Sequence, residues 1–188
     1  MAAAIETLKE VGFAGASARA IATRGGLNQA LVFYHFGSVQ TLLLAALDRT
    51  SAGRMERYEE AVSRAATLAE MLEVAREVFE EDLRSGHITV LSELIAGSLA
   101  HPELGPRVVE RMEPWIDFAE RSIGKILDDT PLAGLLPTRD LAFAVVAFYL
   151  GVDLLTQLDG DRSRVDRLFD LGAHTLPLLA NLPGQNRV

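Results

Sequence analysis

Thirty-one residues near the start of the chain, GFAGASARAIATRGGLNQALVFYHFGSVQTL at positions 12–42, restrict the fold more than any other stretch. Ser17 is a good N-cap, and Ala18, Ile21 and Ala22 follow as a short apolar stripe at helical spacing. Gly25-Gly26 stops that helix, because glycine enters the left-handed conformation without a Cβ penalty. Asn28 is placed to cap the next helix, whose inward face is expected to be Leu31, Val32 and Phe36. A helix, a short glycine turn and a second helix make the helix-turn-helix layout. The second helix leaves Gln29, Ala30, Phe33, Tyr34 and His35 on or near its free face, which points to DNA.

Charge is distributed in a way that suits this reading. The net charge of −8 argues against a protein that coats nucleic acid through its overall field. Residues 1–57 nevertheless hold six basic and four acidic side chains, whereas the rest hold twelve basic and twenty-two acidic. A faintly basic unit on an acidic body fits local phosphate contact with little non-specific affinity. With 49% hydrophobic residues in 188, the chain can bury a sizeable core. It has no run of 18 apolar residues and no signal-peptide core after Met1–Ala4, so a cytoplasmic location without membrane association is expected. The absence of cysteine excludes disulfides, thiolate zinc sites and cysteine nucleophiles.

The whole chain reads as helix, about nine segments with no credible strand. AAAIETLKEVG is an opening helix with Ile5, Leu8 and Val11 inward and Gly12 as its stop. Basic residues often precede such a helix in DNA-binding bundles, and their lack leaves room for a natural N-terminus that begins earlier. Phe13 is expected to plug the core between the first two helices, and Ser38 to cap a long connecting helix with a soft point at Gly53. A domain boundary is expected at about residue 50, giving a DNA-binding domain over 1–50 and a larger helical domain over 51–188. In the latter, Leu68, Met71, Leu72, Ala75, Val78, Phe79 and Leu83 share one face of a helix ending at Ser85-Gly86. A later run must kink or restart at Pro114, which lacks a ladder donor. After a loop from Asp128 to Pro137, Thr138 is expected to cap a helix in which apolar residues nearly surround the axis, LAFAVVAFYLGVDLL. Such a helix is buried on several sides, in a core or against a second subunit. With the final helix it offers Val145, Phe148, Leu168, Phe169 and Leu171 for a four-helix interface around a two-fold axis.

At residues 12–42 the sequence resembles the N-terminal domain of tetracycline-repressor (TetR) family transcription regulators. The matching residues are Gly12-Phe13, Ser17, Ile21-Ala22, Gly26, Tyr34-His35-Phe36, Ser38 and Leu42, at about the expected spacing. The resemblance implies an all-α protein: a three-helix DNA-binding domain followed by a larger helical domain for effector binding and dimerisation. It implies that Ser17 touches a phosphate, that Asn28, Gln29 and Ala30 face the major groove, and that Phe33, Tyr34 and His35 lie on the backbone or a base edge. Side-chain chemistry agrees, since Gln or Asn can bond adenine bidentately and Ala or aromatic carbons can meet a thymine methyl. Asn28 has an equally good reading as a cap alone. The chain departs from the family pattern at Ala16, in place of threonine, at Phe33, in place of a tyrosine hydroxyl, and at Val39, in place of lysine.

The resemblance also implies a pocket among the central helices for a small, largely apolar effector. Its candidate lining is Phe79, Leu83, His87, Leu91, Leu94, Met112, Trp115, Phe118, Phe148 and Tyr149, with His87, at a helix start, expected to be exposed or a local hydrogen-bond donor. No acid–base pair, phosphate loop or HxxxH spacing occurs, and His35, His87, His101 and His174 are scattered, so neither enzyme, metal site nor other cofactor is expected. The expected function is a ligand-responsive homodimer, a repressor more than an activator, on a palindromic double-stranded DNA operator. The competing expectation is a helical ligand- or partner-binding protein of the same fold with weak or no DNA affinity.

Overall fold

The computed structural model describes residues 1–85, 87–128 and 134–180. Among these residues there are nine helices and no strand. They are α1 (Ala2–Gly15), α2 (Ala18–Gly25), α3 (Gln29–Phe36), α4 (Val39–Arg64), α5 (Leu68–Ser85), α6 (His87–Ala100), α7 (Leu104–Leu127), α8 (Thr138–Asp159) and α9 (Ser163–Ala180). The expected stop at Gly86, the middle of the expected loop (129–133) and the polar tail from 181 lie outside the described residues.

Two compact units form. The first comprises Met1–Glu56 and Ser85–Glu113, the second Arg57–Arg84 and Pro114–Val188. The units therefore do not coincide with the segments 1–50 and 51–188, because α6 and the first half of α7 pack with the N-terminal helices. The helix α7 runs through Pro114 rather than restarting there.

In the first unit, Leu8 and Ala4 of α1, Ile21 and Ala22 of α2, Leu43 and Leu44 of α4 and Leu94 of α6 are buried. Gly12 does break the opening helix (φ 68°, ψ 179°), but the chain coils on to Gly15. The break turns Phe13 away from the place expected for it, between α1 and α2. Its ring lies on α6 instead, so close to Gly97 that a Cβ there would come within 2.5–2.6 Å of the ring carbons. The Phe13 and His101 rings are 5.7 Å apart. Of the opening stripe only Leu8 is fully buried; Ile5 is half-buried and Val11, just before the break at Gly12, is exposed.

In the second unit, Tyr58, Phe79, Ile116, Ala142 and Val165 are buried. The α8 cap is not the expected Thr138. Pro137 occupies the N-cap position without a side-chain bond, and the Thr138 hydroxyl, one residue inside the helix, donates to Glu120 at 3.4 Å.

Adding one methyl at Gly97 forces the Phe13 ring off α6. Overpacking of this kind costs about 1–3 kcal/mol. Gly97→Ala is expected to lower the thermal midpoint by several degrees by circular dichroism, whereas Gly53→Ala, with open space around its Cβ site, leaves it unchanged or raises it.

Candidate nucleic-acid interface

The turn between α2 and α3 is built as its residue types dictate. The Ser17 hydroxyl oxygen, with extended backbone (φ −80°, ψ 158°), accepts from the Ala20 N–H at 3.2 Å. Gly26 is left-handed (φ 61°, ψ 33°) and closes α2, with the Leu27 N–H donating to the Ala22 carbonyl at 2.9 Å. Asn28 then caps α3 by accepting from the Ala30 N–H at 2.9 Å. The next helix starts at the expected Ser38, whose hydroxyl oxygen accepts from the Thr41 N–H at 3.1 Å.

Only Val32 of α3 is buried. Phe36 is half-buried, and Leu31, expected inward, is 42% exposed. Val32 is thus the fully buried anchor of α3, a helix that packs on α2. Gln29, Ala30, Phe33, Tyr34 and His35 are all exposed, Tyr34 at 82%. The Tyr34 and His35 rings meet edge to face with centroids 4.9 Å apart. The seven expected DNA-contact residues thus lie on one short segment, from the Ser17 cap to the end of α3, and all are exposed.

The surface is sparing in positive charge. No Lys, Arg, Asp or Glu occurs in α3. Arg24 at the end of α2 is held by the Glu10 carboxylate of α1, while Arg19 is exposed in the first turn of α2. Val39 is half-buried, so a lysine there would have emerged from the start of α4, and Ala16 is buried at the end of α1.

The expected effector lining divides between the two units. Phe79, Leu83, Trp115, Phe118, Phe148 and Tyr149 belong to the second unit; His87, Leu91, Leu94 and Met112 belong to the first. In the second unit, Phe79 is buried with its ring 5.6 Å from Tyr149 and 6.0 Å from Phe169. Phe169, expected on the dimer face, is therefore turned inward, with Arg76 over its ring at 5.3 Å. Phe148 is 61% exposed, one position along α8 from Tyr149 and on its outer side, away from these rings. Sequence reading missed the polar centre of the cluster. Asp82 is buried, and the hydroxyls of Tyr58 and Tyr149 donate to its opposite carboxylate oxygens. The one signal was its place three residues after Phe79, on an otherwise apolar face of α5.

His87 is not at an exposed helix start. It is 7% exposed, and its Nδ1 lies 3.2 Å from the Thr50 hydroxyl of α4. Burial first, then the charges of Arg54 and Lys9, push its pKa down to about 3. Its helix starts where α6 enters the first unit, so the ring is enclosed by α4. Among the described residues no three His, Asp or Glu side chains cluster to hold a metal ion.

Residues 1–46 match the model for bacterial regulatory proteins of the tetR family. Over the whole chain, the fold is similar to that of the fatty acid degradation regulator FadR from Bacillus halodurans, with a TM-score of 0.75 at 14% identity, covering 97% of each chain. It is also similar to the multidrug binding protein EbrR, solved in complex with imidazole, with a TM-score of 0.64 at 24% identity, covering 98% of this chain and 89% of that one. A search of the curated proteins returns no match. The motif resemblance thus holds for the N-terminal segment, and the two solved structures extend the likeness to the fold of the remaining helices. The whole chain shares the fold of these two proteins.

The buried neutral state of His87 carries a pH dependence. The unfolded chain protonates this ring below about 6.5, and the folded protein does so only near 3. Between those values the unfolded state binds the extra proton, so stability falls as pH drops, by up to ~1.4 kcal/mol per unit from this group. Urea unfolding of the wild type and His87→Gln from pH 7 to 4 is expected to show a shallower decline in the variant.

Proposed function

We propose that the protein is a homodimeric, effector-responsive transcriptional regulator of the cytoplasm that represses by covering a palindromic operator. The observation that carries the proposal is α3, a capped helix with one buried anchor and a row of exposed amide, phenol, imidazole and apolar groups. A helix so poorly buried by its own chain is laid out to be covered by something else, and its residue types suit base edges and phosphates. Ser17 at the α2 start, Tyr34 and His35 serve as phosphate donors, and Gln29 and Ala30 enter the major groove.

Dimerisation is supported by α8. An 18-residue stretch of it is long and apolar enough, by composition alone, to cross a membrane (mean hydropathy 1.8). Yet its polar residues Asp153 and Thr156 are buried within the unit, while Phe143, Val145, Phe148, Leu155 and Leu158 are exposed, Leu158 at 75%. On α9, Leu168 and Leu171 are exposed as well. Such an outward apolar face beside an inward polar one fits a four-helix seam with a second copy. A two-fold dimer carries two α3 helices to half-sites about 34–36 Å apart.

The effector is a small, largely apolar molecule taken up by the second unit, where Phe79, Trp115 and Tyr149 supply aromatic surface around Asp82. The names of the two similar solved structures, a fatty acid degradation regulator and a multidrug binding protein, accord with that chemistry. To release DNA, the effector binds the low-affinity arrangement more tightly than the operator-bound one. The lever is α4, which carries residues of both units.

The discriminating experiment is binding of the full chain to a pool of genomic duplex fragments. Retention at about 50 mM salt that weakens steeply as salt rises is expected. A lack of retention at that salt favours a helical ligand- or partner-binding protein instead. Phe148→Glu is expected to give monomers by sedimentation; unchanged dimers would remove the proposed seam.

A further inference from the structure

We propose that the half-site read by α3 is rich in A·T pairs, with Gln29 as the residue that fixes an adenine within it. The inference rests on the DNA-binding reading above and adds which bases that surface selects. Six side chains of α3 are exposed: Gln29, Ala30, Leu31, Phe33, Tyr34 and His35. Each base presents a different edge in the major groove, so these six groups can be matched to the edges one by one.

Guanine presents two acceptors, O6 and N7, which are gripped by the forked donors of Arg or the ammonium of Lys. Cytosine presents an amino donor, read by Asp or Glu. None of those four residue types occurs in α3. His35 does not replace them for guanine, because its two ring nitrogens face opposite sides and cannot reach O6 and N7 together. Arg24 is held by Glu10, and Arg19 lies on α2, the helix that crosses the backbone in this layout, where it meets phosphate. The surface has no paired-donor reader for guanine and no acceptor reader for cytosine.

For A·T pairs it is equipped twice over. Adenine N6 and N7 need one acceptor and one donor from the same side chain, which the Gln amide provides. Gln29 is the first residue of α3, and the N-terminal end of a recognition helix is the part that meets base edges. Asn28 has the same amide, but its oxygen is already accepting from the Ala30 N–H at 2.9 Å. Only its NH2 remains, so the bidentate grip falls to Gln29. Thymine offers a methyl group, and Ala30, Leu31 and Phe33 supply three exposed apolar contacts on the same two turns. The exposure of Leu31 is thereby accounted for as well.

The test is repeated selection by the full chain from a random duplex pool at about 50 mM salt, with sequencing of the retained fraction. Wild type is expected to enrich palindromes whose half-sites are dominated by A·T pairs. Gln29→Arg, an exposed change at the helix start, is expected to convert one position per half-site from adenine to guanine. A good bidentate pair corresponds to a preference of roughly ten- to a hundredfold. The added charge raises affinity for all sequences alike, so the readout is base preference and not affinity. Half-sites dominated by G·C pairs, or an unchanged base at every position in Gln29→Arg, would overturn the inference and leave the DNA-binding reading standing. A pool with no enriched sequence overturns both.

Discussion

The first unit depends on how one broken turn is sealed. Gly12 leaves the helical region with a positive φ, so the Phe13 N–H loses its carbonyl partner four residues back. A buried or half-buried N–H without an acceptor is costly. Here Glu93 of α6 reaches across, and its carboxylate accepts from that N–H at 2.7 Å, a charge-assisted bond stronger than the one it replaces. The same turn drops the Phe13 ring onto Gly97, one helical turn further along α6. Backbone bond and ring contact together fix α1 on α6. Since α2 packs on α1 and α3 on α2, the exposed row of α3 takes its position from this seal. Gly12 is needed for its dihedral angle, Gly97 for the absence of a Cβ, and neither role can pass to another residue.

Local signals in the sequence were strong enough to read the helices and most of their caps, with Thr138 the exception. Ser17, Asn28 and Ser38 cap where their side chains suggest, and Gly26 and Gly160 stop helices in the left-handed conformation. What escaped was long-range. Nothing in the periodicity of α6 says that it belongs with the N-terminal helices, because an apolar stripe does not name its partner. Of the two readings of His87, exposure fails for that reason: a helix start is exposed only if nothing covers it, and α4 covers this one, with Thr50 as the hydrogen-bond partner of the ring. Phe169 fails in the same way, since Leu168, Phe169 and Leu171 read equally apolar and only packing against Phe79 separates inward from outward. The exposure of Gln29, Ala30, Phe33, Tyr34 and His35 was legible because a short helix after a glycine turn has few ways to bury itself. Leu31 was not, because hydrophobicity alone argued for burial.

The second unit reverses the usual distribution of polarity. Asp82 and Asp153 are buried, while large apolar side chains on α8 are exposed. Asp82 is held by phenols from α4 and α8, one on each carboxylate oxygen. This arrangement tolerates a buried carboxyl group because both oxygens have hydrogen-bond partners, and it ties three helices through one side chain. Any displacement of α4 against α8 within this unit strains a hydrogen bond at one end or the other. The same helix α4 carries Thr50 and Arg54 beside the buried His87 in the first unit. Polar anchors on α4 therefore occur in both units, at positions where a small rotation of the helix is felt by a hydrogen bond and not only by adaptable apolar packing. On the proposed effector-responsive reading, a molecule acting on the second unit has a physical handle there.

On the DNA-binding reading, the sparse charge of α3 is better understood as a choice between affinity and discrimination than as a defect. Each cationic phosphate contact strengthens binding to every sequence alike and raises the salt sensitivity of all of them. A face carrying Gln29, Ala30, Leu31 and Phe33 but no Lys or Arg gains little from that common term. Its preference comes from base edges, at about 1–3 kcal/mol for a good bidentate pair. On the dimeric reading the two α3 helices read two half-sites, so their preferences add as free energies and multiply as ratios. A single subunit with this surface would hold DNA too weakly to matter, whereas two joined subunits would keep weak non-specific binding and square the discrimination. The apolar face of α8 and the uncharged face of α3 are then two parts of one design, because the second makes sense only if the first finds its copy.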